Sequence, residues 1–231
     1  MRLLAIECAS EACSVALFTA EAVSPVSGLP EPAAMALAAA DHRILGRGHA
    51  EHLIPMIQSL PENGRAEWIA VSRGPGSFTG VRIGIAAARA LALAWDAELM
   101  GYPTLALVAA QAQHAEGRQD AIAAMTGGHG EWFVQAFAAD GAAQSDLASL
   151  TPDAAAALDA KLVAGTRAAD LVERRGRGNA LSCHPDARAL PFLSAQWLTR
   201  DTSPLYGRAP DAKLPGGKEA PEPQSGRSAN Q

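Results

Sequence analysis

Between Ser72 and Gly80 the chain reads Ser-Arg-Gly-Pro-Gly-Ser-Phe-Thr-Gly and runs directly into an Ala/Leu/Ile-rich stretch that reaches Trp95. A glycine-rich turn feeding a helix presents unpaired backbone N–H groups, and such groups hold anions. Gly74, Gly76, Ser77 and Thr79 are the candidates for that contact. The same residues have a plainer use, in which Ser77 or Thr79 caps the helix and the glycines only make the turn.

His49 and His52, with Glu51 between them, invite a zinc reading. The protease arrangement needs histidines at i and i+4 with glutamate directly after the first, and this spacing is different, so we expect no metal. No G-x-S-x-G elbow is present for a serine hydrolase. Glu173-Arg174-Arg175-Gly176-Arg177 is the densest basic spot. It suits a helix C-terminus, whose dipole favours cations, better than a site for nucleic-acid phosphate.

The elements that must position these residues follow from periodicity and punctuation. Leu3–Ile6 and Ser14–Phe18 read as paired strands on either side of a polar turn, and the proline-rich Ala22–Pro32 as a loop or elongated hairpin tip, with order resuming near Arg43. Leu53, Met56, Ile57 and Leu60 recur at helical spacing, and Pro55 places that helix's start just ahead of itself. Trp68–Val71 is a buried strand leading into the glycine turn and the long helix. Thr104 is the expected N-cap of the next helix, which runs to about Glu116. Ala121–Met125 and Trp132–Phe137 are two strands of a second sheet joined by Thr126-Gly-Gly-His-Gly130, and Thr151-Pro152, Leu162–Ala164 and Gly176 mark a short helix, a strand and a helix end.

On the long helix, Val81, Ile85 and Ala88 form an apolar stripe while Gly80 and Gly84 leave a flat face beside it. Together with Leu53, Met56, Ile57 and Leu60 these residues serve core packing and subunit contact equally well by periodicity.

The chain has 231 residues, 48% of them hydrophobic and 19% charged, which is enough to bury a core in two modest lobes. A net charge of −5 disfavours autonomous binding to a polyanion. Three cysteines without a C-x-x-C pair give no disulfide framework. We expect neither a signal peptide nor a run that stays uncharged and apolar long enough to span a bilayer, hence a cytoplasmic protein without membrane contact.

Gly74-Pro-Gly-Ser-Phe-Thr-Gly-Val-Arg-Ile-Gly84 closely resembles the signature of the TsaB (YeaZ) family. The likeness extends to Leu3–Leu17, to His49-Ala-Glu-His-Leu-Ile-Pro-Met-Ile57, to Gly101–Ala109 and to Tyr206–Pro215, and is weakest over 138–204. The resemblance implies an α/β fold of two actin-like (ribonuclease H-like) subdomains, with mixed sheets flanked by helices. Residues 1–103 would form the N-terminal lobe with the dimerisation helices, 104–209 a smaller degenerate lobe, and 210–231 a disordered tail.

It also implies a non-catalytic subunit for N6-threonylcarbamoyladenosine formation at position 37 of tRNAs reading ANN codons. Such a subunit heterodimerises with the TsaD transferase, is joined by the ATPase TsaE, pairs with itself when alone and meets tRNA only through the complex. The partner face would comprise Leu53, Met56, Ile57, Leu60, Gly80, Val81, Gly84, Ile85 and Ala88. In the actin-like fold an acidic residue after the first strand helps to hold a nucleotide's metal, and here that position is Glu7, with Ser10 close behind. Cys8 replaces the usual hydroxyl residue, and Thr126-Gly127-Gly128 stands where the family shows Asp-Ala-Arg. The Tyr102–Val108 stretch lacks the metal-binding histidines of TsaD relatives. No cofactor is therefore expected of the chain itself, with room left for ATP or ADP at an interface of the complex. The alternative is an autonomous ATP-binding hydrolase or kinase that uses Glu7 and the Gly74–Gly80 turn.

Overall fold

The computed structural model describes residues 1–21, 23–24 and 28–207, so the expected tail at 210–231 lies outside the described residues. Strands β1 (Arg2–Glu7), β2 (Ala12–Ala20) and β3 (Met35–Ile44) form an antiparallel meander. Strands β4 (Trp68–Ser72) and β5 (Glu98–Tyr102) add to β1 in parallel, giving the order β3-β2-β1-β4-β5. The second sheet repeats the plan. Strands β6 (Ala121–Thr126), β7 (Trp132–Phe137) and β8 (Ala148–Leu150) are antiparallel, and β9 (Leu162–Ala164) and β10 (Asn179–Leu181) extend β6 in parallel, in the order β10-β9-β6-β7-β8. Two mixed sheets with one strand order are the duplicated actin-like arrangement expected above.

The helices are α1 (His49–Gln58), α2 (Phe78–Trp95), α3 (Thr104–Glu116), α4 (Pro152–Ala156) and α5 (Ala168–Arg175). Successive strand side chains point to opposite faces, and β1 shows how the layers follow. Leu4 and Ile6 join the cluster under α1 and α2, while Leu3 and Ala5 join the cluster around α3. That second cluster continues through Leu105, Leu107 and Val108 into Ala121, Ala123, Phe133 and Phe137 of the other sheet. Helix α3 is thus buried nearly all round between two sheets, and its many alanines let both approach. A third cluster, with Val134, Val163 and Leu171, seats α4 and α5 on the outer face.

Several expectations change. Order resumes at Met35 rather than near Arg43, because pairing with β2 holds Met-Ala-Leu-Ala-Ala-Ala extended despite alanine's weak strand preference. Helix α1 begins at His49 after a left-handed Gly48 (φ 89°), so Pro55 lies inside it, in its seventh position, and omits the helical bond to the Glu51 carbonyl. Pro103, not Thr104, is the N-cap of α3, since the Thr104 hydroxyl is turned into the protein. Residues 199–205 return to the first sheet: Thr199 bridges Gly101, Asp201 pairs with Arg73, and the Leu205 amide donates to the Arg73 carbonyl. A lobe division at 104–209 therefore misplaces that segment. Helix α2 has the length and mean hydropathy of a membrane span, 1.3 over 18 residues, but it is not an uncharged run, since it carries Arg82 and Arg89. Its Val81, Ile85 and Ala88 pack on the sheet, and its Arg82 and Arg89 are held by Tyr206 and Thr202, as in a helix flanking a core.

Candidate functional site

The glycine turn leaves β4 at Ser72 and passes through Gly74, whose φ of +86° suits glycine, and a cis Gly74–Pro75 bond. It then lies directly on the β1–β2 turn. A Cβ at Gly76 would come 1.9 Å from the Ala9 carbonyl oxygen, and one at Gly80 would come 2.1 Å from that of Cys8. These glycines permit backbone to touch backbone. The Ser77 amide donates to the Ala9 carbonyl at 2.7 Å, and the Ser77 hydroxyl accepts from the Gly80 amide at 3.2 Å. Two amides that an anion would need are therefore committed within the chain, and Ser77 acts as the helix cap. Thr79 is exposed and stands away from the cleft lining.

Glu7 is 0% exposed. One carboxylate oxygen accepts the Ala9 amide at 2.7 Å, and the other receives the Thr104 hydroxyl at 3.5 Å. Thr104 meets the Ser72 hydroxyl at 2.5 Å, and Ser72 accepts the Gly74 amide at 3.2 Å. Burial pushes the Glu7 carboxyl up to about 7, against the pull of these hydrogen bonds. Glu7 and Gly74 thus fasten the turn from beneath and do not reach a ligand space.

That space is a cavity of about 790 Å³ between the two sheets. Ser10, Gly76 and Ser77 reach it from the first sheet's side, so these three of the six predicted ligand residues are brought together. Thr126, Gly127 and Gly128 face them from the β6–β7 turn, and Thr166, whose hydroxyl accepts the Thr126 amide at 3.0 Å, supports that wall. Sequence reasoning missed Glu11, Arg82 and Tyr206. The Arg82 guanidinium lies 3.3 Å over the Phe78 ring and donates to the Tyr206 hydroxyl at 2.5 Å. The four-residue helical spacing of Phe78 and Arg82 was a readable signal. Tyr206, 124 residues further on, left none.

The predicted partner residues require correction. Leu53, Met56, Ile57 and Leu60 are at most 5% exposed, as are Val81, Ile85 and Ala88, and all belong to the core under the first sheet. Gly80 and Gly84 face Cys8. These side chains hold α1 and α2 down, and a helix cannot present to a partner the stripe by which it is anchored. The outward faces carry Ile54 (38% exposed) and Leu93 (88% exposed), with Ala86, Ala90 and Ala94 around Leu93.

The histidine pair diverges. His49 is buried with Nε2 3.2 Å from the Ala12 carbonyl, while exposed His52 places Nδ1 2.9 Å from that of Gly48. In the basic spot, Arg175 donates to the carbonyls of Leu158 and Ala160 at 2.9 and 2.7 Å, and Arg174 and Arg177 pair with Asp153 and Asp159.

The family model described as TsaD, tRNA N6-adenosine threonylcarbamoyltransferase, matches residues 43–181. The tRNA threonylcarbamoyladenosine biosynthesis protein TsaB of Escherichia coli is 36% identical over 138 residues, covering 58% of this chain and 53% of that protein. Its namesake from Haemophilus influenzae is 29% identical over 130 residues, covering 54% and 49%. The chain thus spans about half the length of the curated relatives it matches. Among solved structures, YeaZ from Pseudomonas aeruginosa superposes with TM-score 0.67 at 26% identity, over 89% of this chain and 99% of that one. A protein from Pseudomonas aeruginosa described as similar to peptidase YeaZ gives 0.69 at 28% identity, over 90% and 99%. With this fold, this turn and these likenesses, the chain belongs to the tRNA N6-adenosine threonylcarbamoyltransferase (TsaD) family, and within it to the TsaB/YeaZ proteins.

Proposed function

We propose that the chain is a cytoplasmic, non-catalytic subunit for threonylcarbamoyladenosine formation in tRNA, supporting a TsaD transferase by pairing with it and working alongside TsaE. The observation that carries this reading is the closed glycine turn. Where a nucleotide-using relative would offer free amides and a metal-holding carboxylate, this chain commits the Ser77 and Gly80 amides to Ala9 and Ser77 and buries Glu7 beneath the turn. The net charge of −5 supports contact with tRNA through the complex rather than alone.

Pairing takes place on the outward face of α1 and α2, centred on Leu93 and Ile54. A leucine left 88% exposed on a helix rich in alanine fits a close helix–helix contact. When alone the chain uses the same face on a second copy. Reconstituted threonylcarbamoyl transfer with TsaD, TsaE and the threonylcarbamoyl-adenylate synthase tests the reading. Activity should depend on this chain, and Leu93→Asp should abolish co-elution with TsaD while the circular dichroism spectrum stays unchanged. Full transfer without the chain rejects the role, and co-elution that survives Leu93→Asp rejects the face.

The 790 Å³ cavity favours a second reading, an autonomous ATP-binding hydrolase or kinase, or an ATP or ADP bound at the interface of the complex. The hydrolase or kinase requires saturable, magnesium-dependent turnover by the purified chain, lost on closing the cavity with Gly128→Phe, and a nucleotide at the interface requires ATP or ADP binding by the complex, lost on the same substitution.

A further inference from the structure

Cys8 and Cys13 face each other across the first two strands, one step beyond the Glu7–Ser14 pair that ends the β1–β2 ladder. Both are free and buried, and their Sγ atoms lie 3.7 Å apart. Cys13 is held in β2 by its pairing with Arg43 of β3, Cys8 directly follows β1, and the intervening turn is tied by the Ala9 amide to Glu7 and by the Ala12 amide to the Ser10 hydroxyl at 3.0 Å. A disulfide needs its sulfurs at about 2.05 Å, so the pair must close by about 1.7 Å. The helix above leaves room for this movement. Gly84 is the residue over Cys8, and even a Cβ added there would stand 3.7 Å from its sulfur.

We propose that Cys8 and Cys13 form a reversible dithiol–disulfide pair, closed by a peroxide and reopened by a thiol reductant. The chemistry balances with the two thiols and one peroxide. The Cys13 thiolate attacks one peroxide oxygen, the O–O bond breaks and water leaves, giving a sulfenic acid. The Cys8 sulfur then attacks the Cys13 sulfur, the S–O bond breaks, and a second water carries away the Cys8 proton. The two thiols together lose two electrons and the peroxide gains them. The hydrogen bond between the two sulfurs, which either can donate, lowers the Cys13 thiol and raises that of Cys8, so Cys13 is written as the attacking sulfur. Ala9, Ser10 and Glu11 lie inside the loop so closed, and all three line the cavity between the sheets. The Ala9 carbonyl also holds the Ser77 amide. The redox state of the pair therefore sets the rigidity of one cavity wall.

Cys183 serves as an internal control, because it packs with the cluster around α3, on the other side of the first sheet from the cluster containing Cys8 and Cys13. The native chain is treated with hydrogen peroxide, unfolded, alkylated without reduction and digested with trypsin. Cys8 and Cys13 share the peptide 3–43, which lacks internal Lys and Arg before its C-terminal Arg43. That peptide should be recovered unalkylated and lighter by two hydrogens, restored by dithiothreitol, and a Cys13→Ser chain should not give it. Two alkylated cysteines in peptide 3–43 while Cys183 is oxidised would overturn the proposal, as would separate sulfinic acids or a link to Cys183. Measurement on the unsubstituted chain keeps the test independent of whether Cys13→Ser folds.

Discussion

Replacing Glu7 by Gln removes a buried carboxyl but keeps an oxygen that can accept the Ala9 amide. In the folded chain this carboxyl titrates at about 7, against an ordinary value of 4.5, because burial disfavours its charged form. A group whose folded value is raised favours the folded state below the unfolded value and loses that contribution as pH climbs through the folded one. The wild-type chain therefore loses about 3 kcal/mol of stability between pH 4 and pH 8 on account of Glu7, at 1.36 kcal/mol for each pH unit of separation. Gln does not titrate, so the stability of the Glu7→Gln chain relative to wild type should climb by about 3 kcal/mol over the same window. For a chain of this size that is about 6–12 °C in melting temperature. The assay is urea unfolding at pH 4, 5, 6, 7 and 8 of both chains, since groups such as Asp186 and His42 titrate in both and cancel in the difference. A difference that stays flat with pH, or that moves against the variant as pH rises, would refute the placement of Glu7 as a buried acid whose burial outweighs its hydrogen bonds.

Other consequences follow from the same packing. Gly80→Ala sets a Cβ 2.1 Å from a carbonyl oxygen and should cost more than about 2 kcal/mol in urea unfolding, because backbone must move. Gly84→Ala meets Cys8 at 3.4 Å and should stay within about 1 kcal/mol of wild type, helped by alanine's better helix propensity. A bulky residue at Gly84 should unfold the chain rather than merely unpair it, as a melting curve will show. Ser72→Ala leaves the Gly74 amide without its acceptor and the Thr104 hydroxyl with Glu7 alone, and should cost about 1–3 kcal/mol. Arg175→Ala frees the carbonyls of Leu158 and Ala160, which should appear as faster amide exchange across residues 158–162 with the first sheet unaffected.

Much of the local structure was written in the order of residues. The strand–glycine turn–helix unit, the 126–130 turn between β6 and β7, the Thr151 cap and the Gly176 stop all arise from contacts a few residues apart, and nearest neighbours carry that information. The helical stripes of α1 and α2 were equally plain, but periodicity reports only that a face is apolar, not what covers it. The first sheet covers it here, and that moves any partner to the opposite face. Glu7 looked like a ligand because acidic residues after a first strand serve that end in this fold. Only the closing of α3 and the glycine turn over Glu7 decided that it would be sealed. The cavity, with walls from both sheets and Tyr206 brought back from the far end of the chain, depends on contacts more than 100 residues apart, which no local pattern encodes.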